Sequence, residues 1–321
     1  MQEITKQTLD EIDKRFKKEP GYILSDDNPI YCPRVNGLTN ICLSELGLNN
    51  KAEQNTLNFF KGAAFDRDTG LYHSETDFRG NIVNPNLNSC INSIYSLSLC
   101  ATGLKGDAKE LMENLKESPV YSKSNGFGRE YDPDTMETNN HFITQSNLWA
   151  ALAYNSISDI NMVEETMDRI EDIKYDSKRG LFNSLDCKDD DYNFRYFMDD
   201  QAIAILAYIK TGERDKADKL AERVLGSGLY DRSTGLFNSS FSDGGIDTTK
   251  STYKNSFMAF ALGCLGKVKE LKDIQKGLVR YLYDHEEKLF NQTTRDPIKV
   301  PDNSALALVV LEYENLSPKG F

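Results

Sequence analysis

Two adjacent carboxyls, Asp199 and Asp200, stand where an apolar helix opens in Tyr196-Phe-Met-Asp-Asp-Gln-Ala-Ile-Ala-Ile-Leu-Ala-Tyr-Ile-Lys-Thr-Gly-Glu213. Paired carboxyls suit glycoside cleavage: one gives a proton to the leaving oxygen while the other attacks or orients at the anomeric carbon. The same two residues also suit a purely structural task, as an N-cap and a first-turn acid favoured by the helix dipole. Arg195 and Tyr196 immediately precede the pair and are placed to neutralise it or hydrogen-bond to it. Further titratable groups sit before the other apolar helices. Glu130 lies in a loop with Asp132, Asp134 and Glu137, beside Arg129 and Tyr131, and is either a substrate-facing acid or part of a solvated loop. His141 precedes the third apolar helix, and an imidazole near its ordinary pKa can move a proton at neutral pH. The two remaining histidines are read as structural (His73) and as surface (His285). Asp302 is read as a helix cap, Trp149 as core, and the run from Asp186 to Asp191 as a solvated acidic loop.

Composition narrows the partners. A net charge of −12 over 321 residues argues against nucleic acid, which demands clustered Lys and Arg, and against an anionic membrane surface. No run approaches the roughly 18 apolar residues that a membrane span requires. The N-terminal Met1-Gln-Glu-Ile-Thr-Lys is polar and lacks the apolar stretch of a signal peptide, so a cytoplasmic protein is expected. Six cysteines are scattered without a Cys-x-x-Cys pair; zinc spacing is absent and disulfides are not expected. Cys90, Cys100 and Cys264 read as core fillers in apolar helices. No metal or cofactor is implied. Asp66-x-Asp68-x-Gly70 has the opening of a calcium loop but not its later ligands.

The elements that must position these groups recur at a fixed period. Asp66-Arg-Asp-Thr-Gly-Leu-Tyr-His-Ser74 returns as Asp176-Ser-Lys-Arg-Gly-Leu-Phe-Asn-Ser184, Asp231-Arg-Ser-Thr-Gly-Leu-Phe-Asn-Ser239 and Asp284-His-Glu-Glu-Lys-Leu-Phe-Asn-Gln292. Ser122-Lys-Ser-Asn-Gly-Phe127 is a shorter copy, and Pro20-Gly-Tyr-Ile-Leu-Ser25 a possible first one. In each segment the Asp and Gly suit a turn, and the Leu and aromatic dock a short strand. After each comes a polar step that opens an apolar helix: Asn36-Gly37, Asn88-Ser89, Gln145-Ser146, Asp200-Gln201, Asn255-Ser256 and Asn303-Ser304. A charged amphipathic helix follows each of the first five, at 52–61, 107–117, 162–173, 214–225 and 267–282. Apolar helices belong inside and amphipathic ones outside. The sixth outer helix is supplied by 3–18, so that the last inner helix, 302–313, closes on the first. The expectation is an all-α (α/α)6 toroid, one domain over 1–321, with short β-hairpins on one rim.

This layout, spanning nearly the whole chain, resembles the (α/α)6 toroids: the six-hairpin glycosidases and the N-acylglucosamine 2-epimerase superfamily. Met198-Asp-Asp-Gln-Ala with Leu206-Ala-Tyr-Ile-Lys-Thr-Gly212 is similar to the Asp-Asp motif of endo-α-1,6-mannanases, although Ala202 and Ile203 stand where that family has tryptophan. The resemblance implies a carbohydrate cleft where the inner helices begin, with Asp199 and Asp200 as nucleophile and acid/base. Arg34, before the first inner helix, and Tyr253 and Lys254, before the fifth, are candidate polar contacts to a sugar. The epimerase branch implies rim histidines, here His141 with His73. Terpene cyclases and protein prenyltransferase β subunits also use α/α barrels and are a rival reading, although the squalene-cyclase Asp-x-Asp-Asp and an Asp/Cys/His zinc set are absent; a non-catalytic carbohydrate-binding or scaffold protein is another.

Overall fold

The computed structural model describes residues 2–25, 29–139, 141–184 and 195–315. Twelve α-helices lie among them: α1 Gln2–Phe16, α2 Pro33–Glu45, α3 Asn49–Phe59, α4 Ser89–Ala101, α5 Lys105–Glu117, α6 Thr144–Ser156, α7 Ile160–Lys174, α8 Met198–Lys210, α9 Arg214–Gly226, α10 Thr252–Cys264, α11 Val268–Tyr281 and α12 Pro301–Leu311. The even-numbered helices are apolar nearly all round and almost wholly buried. The odd-numbered ones bury a single stripe, such as Leu271, Ile274 and Leu278 on α11. Each even helix packs against the next, from α2 through α4, α6, α8 and α10 to α12, and α12 returns to α2. Each of α3, α5, α7, α9 and α11 packs behind the inner helix it follows, and α1 packs on α12. The ring therefore closes through the helix at 2–16, and the architecture is an (α/α)6 toroid.

Long connections lead from each outer helix into the next inner one, and they carry short antiparallel hairpins. Phe65–Asp66 pairs with 71–72, 121–122 with 126–127, 175–176 with 181–182, 230–231 with 236–237, and 283–284 with 289–290. An aromatic residue just before the turn faces the one after it, with ring centroids 4.8 to 5.3 Å apart. The aspartate between folds onto its own turn. Asp66 Oδ1 accepts from the Asp68 N–H and its Oδ2 from the Thr69 hydroxyl, so this loop is an Asx turn.

One contact repeats in every unit. The fourth residue of each inner helix reaches back to the backbone of the aromatic residue of the preceding hairpin. Asn36, Asn92, Asn147, Gln201 and Asn255 accept from the N–H and donate to the C=O of Tyr22, Tyr72, Phe127, Phe182 and Phe237 at 2.6 to 3.1 Å. The second amide hydrogen goes to the carbonyl of the helix N-cap residue. In the sixth unit Ser304 Oγ takes only the N–H of Phe290. The polar steps Asn88-Ser89 and Gln145-Ser146 open their helices as expected, but the clamp residue is a different one in each. Asn88 is the N-cap of α4, and its clamp residue is Asn92 one turn later; in α6 the clamp is Asn147 and not Gln145. At Gly21 an added Cβ would lie 2.2 Å from Asn36 Oδ1, so the clamp itself excludes a side chain there.

Below their first turn the inner helices fill the axis. Trp149 of α6 meets Phe257 of α10 edge-on at 5.4 Å, although α8 stands between those two helices in the ring. Trp149 is core, as its sequence context implies.

The clamp predicts a graded loss of stability. Asn147→Ala strands the buried N–H and C=O of Phe127 and should cost about 3 kcal/mol, whereas Ser304→Ala loses one bond and should cost about 1 kcal/mol. Urea unfolding of the two variants measures the difference; equal losses would show that the reciprocal pair contributes nothing beyond a single bond.

Candidate active site

The second residue of every inner helix lies on one turn at the mouth of the toroid: Arg34, Cys90, Gln145, Asp199, Tyr253 and Asp302. Their contacts knit the ring. Gln145 Nε2 donates to Asp199 Oδ2 at 2.9 Å. Lys254, one residue after Tyr253, places its Nζ 3.1 Å from Asp199 Oδ1 and 4.5 Å above the Phe197 ring, and donates to the Ser239 carbonyl. Arg34 pairs with Asp302 at 3.0 Å, and its guanidinium stands 5.9 Å over the Tyr253 ring, reaching from α2 to α10 across the mouth. The turn below carries Phe257, in contact with Tyr253 at 4.8 Å, so the ring rests on an apolar floor.

The two central carboxyls have different surroundings. Asp199 and Asp200 are the second and third residues of α8; the N-cap is Phe197, which offers no side-chain cap, so neither aspartate caps the helix. Asp199 holds the cation and the amide just described. Asp200 is 2% exposed, and the salt bridge of Lys254 is to Asp199. Burial, then the neighbouring Asp199 charge, pushes Asp200 up to about 8, against opposing pulls from the Ser184 hydroxyl, Lys254 and Lys174. The pair is therefore unequal: burial holds Asp200 well above the ordinary carboxylate range, and Asp199 is ion-paired with Lys254.

The other sequence candidates distribute unevenly. Arg34, Tyr253 and Lys254 lie on or beside the ring. Tyr196 does not: it is turned to the preceding hairpin, where its hydroxyl donates to Asp176 Oδ2 at 2.6 Å and Arg179 donates to it at 3.1 Å. Strand alternation across 195–197 sends its side chain away from the pair. Arg195 is exposed and stacks on Phe197 at 5.6 Å. The cation beside Asp199 comes instead from α10. Glu130 sits in the strand 130–132, half-buried, 3.8 Å from Arg129 Nε, in a sheet with 82–88 and 137–139. His141 is exposed, two residues ahead of the Ile143 N-cap of α6, and outside the ring. His73 is buried with Nδ1 2.7 Å from the Pro85 carbonyl, and His285 is exposed beside Tyr283. Asp302 is not a cap; Val300 holds that position, and Asp302 is a buried counter-ion. Burial raises its pKa against the pull of Arg34. Cys90 is not simple filling either, since it occupies a ring position, where burial pushes its thiol up to about 12. The acidic run 186–191 lies outside the described residues.

Two classes of group escaped sequence reading. Gln145 touches Asp199 but was legible only as a polar-step residue. Lys250 and Lys299 are buried and pair with the repeat aspartates Asp231 and Asp284 at 3.0 and 3.2 Å, which binds each hairpin to the loop after it. Among the described residues no cluster of His, Cys, Asp and Glu is arranged to hold a metal ion, and no helix is long and apolar enough to cross a membrane.

Comparison with known proteins places the fold. No family model and no curated protein matches the chain. Among solved structures it is similar to cellobiose 2-epimerase from Bacillus thermoamylovorans B4167, with TM-score 0.79 and 14% identity over 97% of this chain and 98% of that one. It is similar to a GH76 α-mannanase of Bacteroides thetaiotaomicron, with TM-score 0.76 and 12% identity over 98% and 96%. An α-amylase from Clostridium perfringens gives 0.77 and 13% over 96% and 97%. At these identities the likeness is one of fold: nearly the whole chain is an (α/α)6 toroid of the kind these enzymes share.

The electrostatics of Asp200 carry a sign. A carboxyl whose pKa is raised on folding stabilises the protein fully below about pH 4, and that contribution is lost as pH rises to about 8. Asp200→Asn removes the titration. Its stability relative to the parent should rise between about pH 4 and 8, with a slope of at most about 1.4 kcal/mol per pH unit, and level off above. Melting temperatures of both proteins from pH 5 to 9 test this; parallel curves would contradict it.

Proposed function

We propose that this protein is a carbohydrate-active enzyme, a cytoplasmic glycoside hydrolase that cleaves a small carbohydrate with Asp199 and Asp200. The observation that carries the reading is the asymmetry of the pair: adjacent carboxyls at the mouth of a toroid, one protonated by burial and one charged against Lys254. Asp200 has a proton to give to the glycosidic oxygen as the bond to the anomeric carbon breaks. Asp199 supplies negative charge to that carbon as it becomes electron-poor. Water then adds its hydroxyl to the carbon, and its remaining proton returns to the pair. When Asp200 loses its proton the two charges face each other, and Lys254 and Gln145 are in place to hold Asp199 through that moment. Arg34 and Tyr253 face the same mouth and are assigned to sugar hydroxyls. The α-mannanase and α-amylase of similar fold carry out the same class of reaction.

A second reading draws on the epimerases and the mannose isomerase of the same fold. It would use His141 for proton transfer next to a carbonyl. The ring offers it no histidine, since none of the three occupies a first-turn position of an inner helix.

The test is reducing-end release from a panel of α-1,6-mannooligosaccharides, maltooligosaccharides and aryl glycosides. On any substrate turned over, Asp199→Asn and Asp200→Asn should each lower kcat/KM by about 10²–10⁴-fold. A fully active variant would sink the assignment. Solvent deuterium entering a free sugar, with no cleavage of any glycoside and dependence on His141, would favour the second reading.

A further inference from the structure

The clamp amides under the rim use all their capacity: Asn147, for example, accepts one N–H and donates both its hydrogens. Gln145, two residues earlier on the same helix, does not. Its Nε2 donates to Asp199 Oδ2 at 2.9 Å, and its Oε1 accepts nothing from the described residues. The side chain is half-buried, and this oxygen is not one of the enclosed polar atoms. The orientation of the amide follows from its partner. Asp199 is ion-paired with Lys254, and a carboxylate offers only acceptors, so the NH2 faces it and the carbonyl faces elsewhere. The carboxylate acceptors of the ring are engaged. Asp199 Oδ1 lies 3.1 Å from Lys254 Nζ, Asp302 Oδ1 accepts the Asn303 N–H at 2.9 Å, and Asp302 Oδ2 lies 3.0 Å from Arg34. The ring therefore presents one amide oxygen in need of a donor, next to the carboxylate assigned to the anomeric carbon.

The nitrogen and oxygen of an amide share one carbon and stand roughly 2.2 Å apart, which puts Oε1 within roughly 5 Å of Asp199 Oδ2. With an anomeric carbon against Asp199, the nearest ring hydroxyl of an aldohexose is the one on carbon 2. A hydroxyl has a proton to donate, and an amide oxygen only accepts. We propose that Gln145 determines specificity for a hexose that bears a 2-hydroxyl: one end of its amide orients Asp199, and the other accepts a hydrogen bond from that hydroxyl. Substrate and carboxylate are thereby joined through a single planar group, and a hydrogen bond to the 2-hydroxyl strengthens as the anomeric carbon becomes electron-poor. The inference deepens the hydrolase reading and rests on it for placing the anomeric carbon at Asp199, but binding can be measured without turnover.

The primary measurement is stabilisation against heat by free mannose, glucose and 2-deoxyglucose, which lacks the 2-hydroxyl of both, titrated into the parent, Gln145→Leu and Gln145→Glu. In the parent the better of the two hexoses should bind about 10-fold more tightly than 2-deoxyglucose. Gln145→Leu should remove that difference. Gln145→Glu keeps an acceptor for the sugar but loses the donor to Asp199, so it should keep the preference. Should Gln145→Leu fail to fold, Gln145→Met gives the same comparison. A residue that only orients Asp199 would weaken both sugars alike, so an unchanged ratio in Gln145→Leu overturns the proposal. A parent that binds neither hexose, or binds 2-deoxyglucose equally well, overturns it too. On a cleaved glycoside, Gln145→Leu should narrow the kcat/KM ratio between that glycoside and its 2-deoxy analogue about 10-fold, whereas Gln145→Glu should lower kcat on both and keep the ratio. If the binding ratio collapses in Gln145→Leu while Asp199→Asn remains fully active, the hydrolase reading fails and Gln145 stands as the residue that reads the 2-hydroxyl.

Discussion

The structure depends on a reciprocal hydrogen bond between a side-chain amide and a single backbone residue. A primary amide has one acceptor and two donor hydrogens, and here all are used: N–H and C=O of the hairpin aromatic on one side, the N-cap carbonyl on the other. Each clamp thereby joins three things: the end of a long connection, the start of an inner helix and the helix's own first turn. A connection of this length would otherwise enter its helix over a range of angles. The clamp removes that freedom and satisfies backbone groups that are buried under the rim and out of reach of water. The aromatic residue it holds is packed against a second ring across the hairpin, so hydrophobic and polar constraints act at the same point.

With five helix starts fixed in this way and the sixth held by the single bond to Ser304, the residue two positions before each of these is fixed as well. That is why Arg34, Cys90, Gln145, Asp199, Tyr253 and Asp302, far apart in the chain, come together as one layer. The clamp position varies only among Asn, Gln and Ser, while the position two residues earlier is Arg, Cys, Gln, Tyr and, twice, Asp. Charges in the layer are arranged in pairs, Asp199 with Lys254 and Arg34 with Asp302. Among the described residues Asp200 has no such ion pair, and burial raises its pKa. A site formed thus is rigid at its base, because each ring residue has a clamp half a turn below it and an apolar floor beneath that.

Much of the toroid was legible in the sequence because its cause is periodic. The Gly-Leu-aromatic turns at 70–72, 180–182 and 235–237, and the alternation of apolar and amphipathic helices, have one physical origin repeated. The ends of α5, α8 and α9 follow directly from composition. The register of the first turns was less legible. Asn88 and Asn92 are both polar and both near the start of α4, and only packing shows that the second clamps while the first caps. The same limit affected the site. Asp199 and Asp200 announce themselves, but Tyr196 alternates away from them along its strand. Lys254 arrives from another unit, a distance of 55 positions in the chain. Asp302 looks like a cap from its place at a helix start, and its role as counter-ion depends on ring closure bringing α12 to α2. Local pattern reports the element; the partner across the ring comes only from how the elements meet.

The chain has a single tryptophan, and the fold has put it on the toroid's axis. Trp149 is fully buried, its indole N–H has no hydrogen-bond partner among the described residues, and it touches Phe257 across the ring, one turn below Tyr253. Its fluorescence is therefore a built-in optical probe of ring integrity. The emission should be blue and weakly quenchable while all six units hold their places, and it should redden once any one unit lets water reach the centre. Because the contact joins helices that are not neighbours, this signal reports the circle as a whole, where helical circular dichroism reports a sum over its parts.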